Sequence, residues 1–192
     1  MFKSKAELGR VAEQTRSDLG MGPRDAFDFD TWSLEWGVPI VSLADLTVSD
    51  EARAHFMGAR REVWSAALIQ HQGRPHVLFN SSHSKERVRS SLGHEVAHVI
   101  AEHELSAGWV EGDGACAGST RAQEDEAAEL GALLLVPQAV AKSYAIGNRS
   151  SFDLARQFEV SEPLAEWRMR MSGGRRIAAR SRRRSGRPDP SS

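Results

Sequence analysis

Residues 84–103 read SKERVRSSLGHEVAHVIAEH. Val88, Leu92, Val96, Val99 and Ile100 recur at three- and four-residue steps, which predicts a helix with one buried apolar stripe. Inside it lies His94-Glu95-Val96-Ala97-His98, an H-E-x-x-H sequence. Two imidazoles four residues apart stand about 6 Å apart along a helix axis, on one face, and can hold one metal ion together. Glu95 is rotated about 100° from His94 and so stands beside such an ion, where a carboxylate suits the part of general base towards water. Leu92, Gly93, Val96, Ala97, Val99 and Ile100 are all uncharged, as a helix buried against a core requires.

Outward from this helix, apolar spacing predicts a first helix over 5–19, stopped by Gly20, and a second over Phe29–Trp36, closed by Gly37. Val38–Val41 reads as a strand, Asp50 caps a helix to about Met57, and Val63–Ile69 with His76–Phe79 reads as a hairpin. Downstream, the Gly-rich residues 104–120 form a long loop, followed by a helix from Arg121 to Leu135 that Pro137 stops. Short helices follow over 138–145 and 151–157, and a last one opens at Ser161, carries Pro163 in its first turn and runs to about Met171. The expected fold class is α+β: a mostly helical domain with a small three-stranded sheet packed against the H-E-x-x-H helix, not a doubly wound sheet.

The 192 residues carry a net charge of -1, 40% hydrophobic residues and one cysteine, the composition of a globular chain without disulfides. Cys116 is then a free, incidental thiol, which points to a reducing, cytoplasmic setting. No uncharged apolar stretch approaches the length of about 18 residues that a membrane span needs. The charge is unevenly placed. Residues 172–192 hold seven Arg against one Asp, and the body over 1–171 carries -7. The division expected is therefore a domain over 1–171, ending in a small helical pair at about 150–171, and an Arg-rich tail over 172–192. Its Gly, Ser, Pro and Arg composition reads as disordered, with weak contact to nucleic-acid phosphates as the other reading.

A metal site with an open position for water needs a third protein ligand. The arrangement with a Gly and a third His three and six residues after the second fails, because Ala101 and Glu104 stand there. His103 lies off the 94–98 face and suits the helix C-terminus. A carboxylate on the 121–135 helix remains. Glu124 shares a face with Ala127, Ala128 and Gly131, small residues that permit close approach to the His pair. Glu126, about 160° away on the wheel, is the fallback, and Glu129 or an ordinary buried salt bridge stays open.

Gly93–His98 followed by Glu124-Asp125-Glu126-Ala127-Ala128-Glu129-Leu130-Gly131-Ala132-Leu133-Leu134-Leu135-Val136-Pro137 resembles the ImmA/IrrE family of metallo-endopeptidases. Its members pair HExxH with a second helix reading roughly E-x-x-A-n-x-F-A-x-x-L-L-x-P, whose leading Glu falls on Glu124. Trp36–Ile40, Val77–Asn80 and Leu154–Ser161 with Arg168 are similar to flanking parts of the same family, so the resemblance spans about 5–171. Here Ala97, Val96, Leu130, Gly131 and Ala128 depart from the usual residues, and none of them is a ligand. The resemblance implies Zn2+ held by His94, His98 and Glu124, peptide-bond hydrolysis with Glu95 as the base, and a helix-turn-helix transcriptional repressor as substrate.

Tyr144, His76 and His103 are candidates to stabilise the oxyanion, and Glu102, on the face of His98, to orient an imidazole. A strand edge near Val77–Asn80 suits an extended substrate. The alternative is a DNA-binding regulator with a non-catalytic structural zinc site, since Phe152–Arg170 reads like a helix-turn-helix. Against it, Glu159, Glu162 and Glu166 stand where phosphates would have to be met.

Overall fold

The computed structural model describes residues 3–47, 49–103 and 119–185, with the side chains of 59 and 182–185 excluded. Helix α1 (Lys5–Asp18) starts in a capping box between Ser4 and Glu7 and buries Leu8, Ala12 and Thr15. Arg16, 3% exposed, reaches out of α1 to donate to the carbonyls of Leu134 (2.7 Å), Asp25 (2.6 Å) and Gly22 (3.0 Å). Helix α2 (Phe29–Trp36) is capped by Asp28 and ends at Gly37, whose φ of 64° is one that glycine adopts without strain. Phe27, Phe29 and Trp32 go into the core beneath it.

Strand β1 (Ile40–Ser42) pairs in parallel with β3 (Arg74–Phe79), and β2 (Ala66–His71) pairs antiparallel with β3 on its other side. Gln72 and Gly73 join β2 to β3 with φ of 50° and 75°, the doubly left-handed turn that matches strand twist in a two-residue hairpin. The order β1-β3-β2 makes β3 the central strand. The edge expected near Val77–Asn80 is thereby corrected: both sides of β3 are paired, and among the described residues the outer side of β2 is an edge instead. Between β1 and β2, α3 (Asp50–Ala54) is capped by Ser49, one residue before the expected Asp50, and passes into a π turn over His55–Ala59. Asn80, fully buried, donates to the carbonyls of Phe56 (2.7 Å) and Trp64 (3.3 Å) and accepts from Ser82, binding that irregular stretch to the end of β3.

Helix α4 (Lys85–Ile100) is capped by Ser84 and lies between the hairpin and α5 (Arg121–Leu135). Gly93 and Gly131 are the reason the two helices come so close. A Cβ on Gly131 would fall 2.6 Å from the Gly93 carbonyl oxygen, too short for any real contact. Val96, Ala97, Ala127, Leu130 and Leu134 are fully buried along this seam. Pro137 ends α5, and α6 (Gln138–Ile146), α7 (Ser151–Phe158) and α8 (Glu162–Met171) complete the core with Leu154, Phe158 and Ala165. Arg168 is fully buried and bonds Glu129 (3.2 Å), Gln138 (2.8 Å) and the Val136 carbonyl (3.2 Å). The mostly helical α+β architecture, with its small sheet against α4, is as the sequence implied.

The tail departs from expectation. Residues 174–185 form α9 (Gly174–Ser185), which packs on α6. Gly173, at φ 74°, turns the chain back after α8, and Gly174 then lies so close to α6 that a Cβ would meet the Lys142 carbonyl oxygen at 2.7 Å and the Ala145 methyl at 2.8 Å. Ala178, one turn on, is buried. Arginine is a good helix former, so two small residues on one face supply the contact that composition alone concealed. The rest of the tail, 186–192, and Cys116 with most of the Gly-rich loop lie outside the described residues.

Candidate metal centre

The seam between α4 and α5 opens at the first turn of α5. Thr120 caps that turn by accepting from Gln123, and Glu124 points from it towards the imidazoles of α4. The Glu124 carboxylate lies 3.0 Å from His94 Nε2 and 3.4 Å from His98 Nε2, and the two Nε2 atoms are 3.1 Å apart. A tetrahedral ion with bonds of about 2.0–2.1 Å keeps neighbouring ligand atoms about 3.3–3.4 Å apart, so the three donors already span a face of the size such an ion needs. The chemistry of the set agrees. Two imidazole nitrogens and a carboxylate are a donor set that zinc and other divalent transition metals accept.

The electrostatics favour the ligand forms. Burial, then the neighbouring His94, push the His98 pKa down to about 4, against the opposing pull of Glu124. Burial raises the Glu124 pKa, but the Ser119 hydroxyl and the imidazoles of His94 and His98 outweigh it and leave the carboxyl below its ordinary value. Both groups are thereby held in the state a cation requires, neutral imidazole and carboxylate. Ser119, whose Oγ donates to Glu124, had not been singled out in the sequence. Its signal is its place just before the Thr120 cap, from which a helix returns its fourth residue to the same side. Side-chain exposures of 27% for both His94 and Glu124, against 4% for His98, leave the approach open on the His94 and Glu124 side. Glu95, next along α4, is buried at 4% exposure.

The other candidates lie elsewhere. Glu126 is turned away into a buried contact with Lys3 (3.6 Å) and His103 (3.8 Å), so the fallback ligand is outside the cluster. Glu129 pairs with Arg168 and Lys5 and serves as the salt bridge left open above. The Tyr144 hydroxyl donates to Gln157 (2.7 Å) and accepts from Arg149 (3.0 Å) on the far helices, which commits it to packing. His76 bonds the Arg74 carbonyl at the hairpin end of β3, edge-on to His71. Glu102 is exposed where α4 ends, at φ 56°, and bonds neither imidazole. His103 is the one of these that touches the cluster: its Nδ1 lies 2.9 Å from His98 Nδ1.

A search of curated proteins gave no match for the chain. A family model for the IrrE N-terminal-like domain, Peptidase_M78, matches residues 42–170, about two thirds of the sequence, from the last residue of β1 to the last turn of α8. With an H-E-x-x-H helix, a carboxylate closing on it from the next helix and that match over most of its length, the chain belongs to the ImmA/IrrE family of metallopeptidases.

Proposed function

We propose that the protein is a zinc-dependent endopeptidase whose substrate is a helix-turn-helix transcriptional repressor, cleaved to relieve repression. The observation that carries the chemistry is the convergence of His94, His98 and Glu124 donors 3.0–3.4 Å apart, with a buried glutamate beside them. Zinc held there supplies Lewis acidity, polarising the scissile carbonyl and lowering the pKa of water from 15.7 to about 7. Glu95 takes the proton of the attacking water on its carboxylate and passes it to the leaving amine. Glu124 is held as a carboxylate and His98 as a neutral imidazole, and the edge of β2 beside α4, unpaired among the described residues, offers an extended peptide a strand to pair with.

The substrate class rests on the family resemblance. The exposed Arg176 and Arg180 of α9, on a helix without acidic residues, support a weak contact with DNA phosphates that brings the enzyme to a DNA-bound repressor. The single Cys116 supports action in the cytoplasm. The test incubates purified protein with the repressor encoded nearest to it, with and without chelator, alongside Glu95→Gln. Cleavage by the zinc-loaded wild type alone supports the proposal. An intact repressor under all conditions, cell extract included, overturns the substrate, and metal-free protein on elemental analysis overturns the chemistry. If the site were only structural, Glu95→Gln would leave function unchanged.

A further inference from the structure

We infer that His103 is a positioning residue for the metal centre: its Nδ1 accepts the Nδ1 proton of His98 and so turns the lone pair of His98 Nε2 towards Glu124 and His94. The inference deepens the metal-centre reading of His94, His98 and Glu124 and rests on it.

The geometry begins with His98, whose two ring nitrogens face different surroundings. Nε2 looks into the cluster, 3.1 Å from His94 Nε2 and 3.4 Å from Glu124 Oε1. Nδ1 looks the other way, 2.9 Å from His103 Nδ1, with the two rings edge to face at 4.9 Å. One of these two Nδ1 atoms carries the proton, and the surroundings decide which. If His98 carries it, His103 holds its own proton on Nε2. That atom is buried, has no hydrogen-bond partner among the described residues and lies 3.8 Å from Glu126 Oε2, so a buried N–H faces a buried carboxylate. If His103 carried it instead, the His98 proton would sit on Nε2, inside the cluster, and a lone pair on His103 would face the Glu126 carboxylate. Acceptor opposite acceptor is the arrangement a buried site penalises.

Glu126 is itself fixed. Its Oε1 accepts from the Lys3 backbone N–H at 3.4 Å and lies 3.6 Å from the Lys3 ammonium, while its side chain is only 6% exposed. A line of side chains thus runs from His98 through His103 and Glu126 to Lys3, crossing from the end of α4 to α5 and the start of α1. An imidazole that ligates a metal through one nitrogen gains basicity and orientation from an acceptor on the other. His103 supplies that acceptor here, and Glu126 fixes the tautomer in which His103 can do so.

The test uses the full chain in two arms. In the metal-free protein, long-range 1H–15N correlations report which His98 nitrogen bears the proton. In the second arm, competition with a chromophoric chelator gives the Zn2+ dissociation constant of wild type, His103→Phe and His103→Asn. Phe keeps the volume and removes the acceptor, and Asn places a carbonyl oxygen near the former Nδ1. The expected results are a His98 Nδ1–H tautomer in wild type, a loss of about 10–100-fold in Zn2+ affinity for His103→Phe, and recovery of most of that loss in His103→Asn. A His98 proton on Nε2, or a folded His103→Phe protein with wild-type Zn2+ affinity, overturns the positioning role and leaves the metal centre standing. Wild type that binds no Zn2+ overturns the metal centre and the positioning role with it. If His103→Phe does not fold, the wild-type tautomer decides.

Discussion

Two helix pairs in this molecule close on each other through glycine, and they do different things. At the α4–α5 seam, Gly93 and Gly131 bring backbones into contact, and the mouth of the seam carries two imidazoles and a carboxylate. At the α6–α9 seam, Gly174 sits against Lys142 and Ala145, and the outward surface carries Arg175, Arg176 and Arg180. The packing device is the same. What differs is which way the polar side chains face: across the first seam they converge, and on the second Arg176 and Arg180 point outwards while Arg175 pairs with Glu166 of α8 at 3.6 Å. A carboxylate and two imidazole donors gathered in a half-buried place cost desolvation unless something compensates it, and a cation is the natural compensation. Divergent arginines carry no such demand.

That contrast can be broken in four ways. The largest effect belongs to Glu95→Gln, which lowers peptide hydrolysis by about 10²–10⁴-fold with metal content and melting temperature unchanged. Residual turnover within tenfold of wild type, read by mass spectrometry of the products, would remove Glu95 from the reaction. Gly131→Ala comes next. Its methyl meets the Gly93 carbonyl, so denaturant unfolding should show a loss of about 1–3 kcal/mol together with weaker Zn2+ binding. Stability and affinity that fail to move together would uncouple the seam from the cluster. Gly174→Ala should cost about 1 kcal/mol, at the lower end of overpacking, and leave Zn2+ affinity alone. A change in affinity there would mean that the two seams communicate.

The fourth effect is on pH. His98 is held near pKa 4 in the fold against about 6.5 in an unfolded chain, so the folded state favours neutral imidazole. Its contribution to the stability of the metal-free protein is complete above pH about 6.5 and is lost as pH falls towards 4. Denaturation midpoints measured across that window should decline, and His98→Gln should flatten the decline. No equivalent pH dependence is expected from α9, whose arginines stay charged throughout.

What could be read from the sequence divides along the same line. Helix α2 runs over Phe29–Trp36 and closes at Gly37, and α5 runs over Arg121–Leu135 and is stopped by Pro137, as the sequence implied, because breakers and apolar spacing are local signals. The meeting of Glu124 with the His pair was legible because Ala127 and Gly131 share its face and mark a close approach. The central place of β3, the helix in the tail and the contact between His98 and His103 were not. Strand order depends on which edges find partners, α9 depends on a surface of α6 that no composition describes, and His103 leaves its helical face only because α4 ends at Ile100. Each of these is decided by tertiary contact, where periodicity is silent.

Lys3 has a practical consequence for anyone handling the protein. Its ammonium and backbone N–H both rest on Glu126, three side chains from the cluster mouth. An affinity tag fused directly ahead of Lys3 therefore changes the charge and crowding of a residue linked through Glu126 and His103 to His98, and a measured metal affinity would carry the imprint of the tag. A tag placed beyond α9 avoids that route.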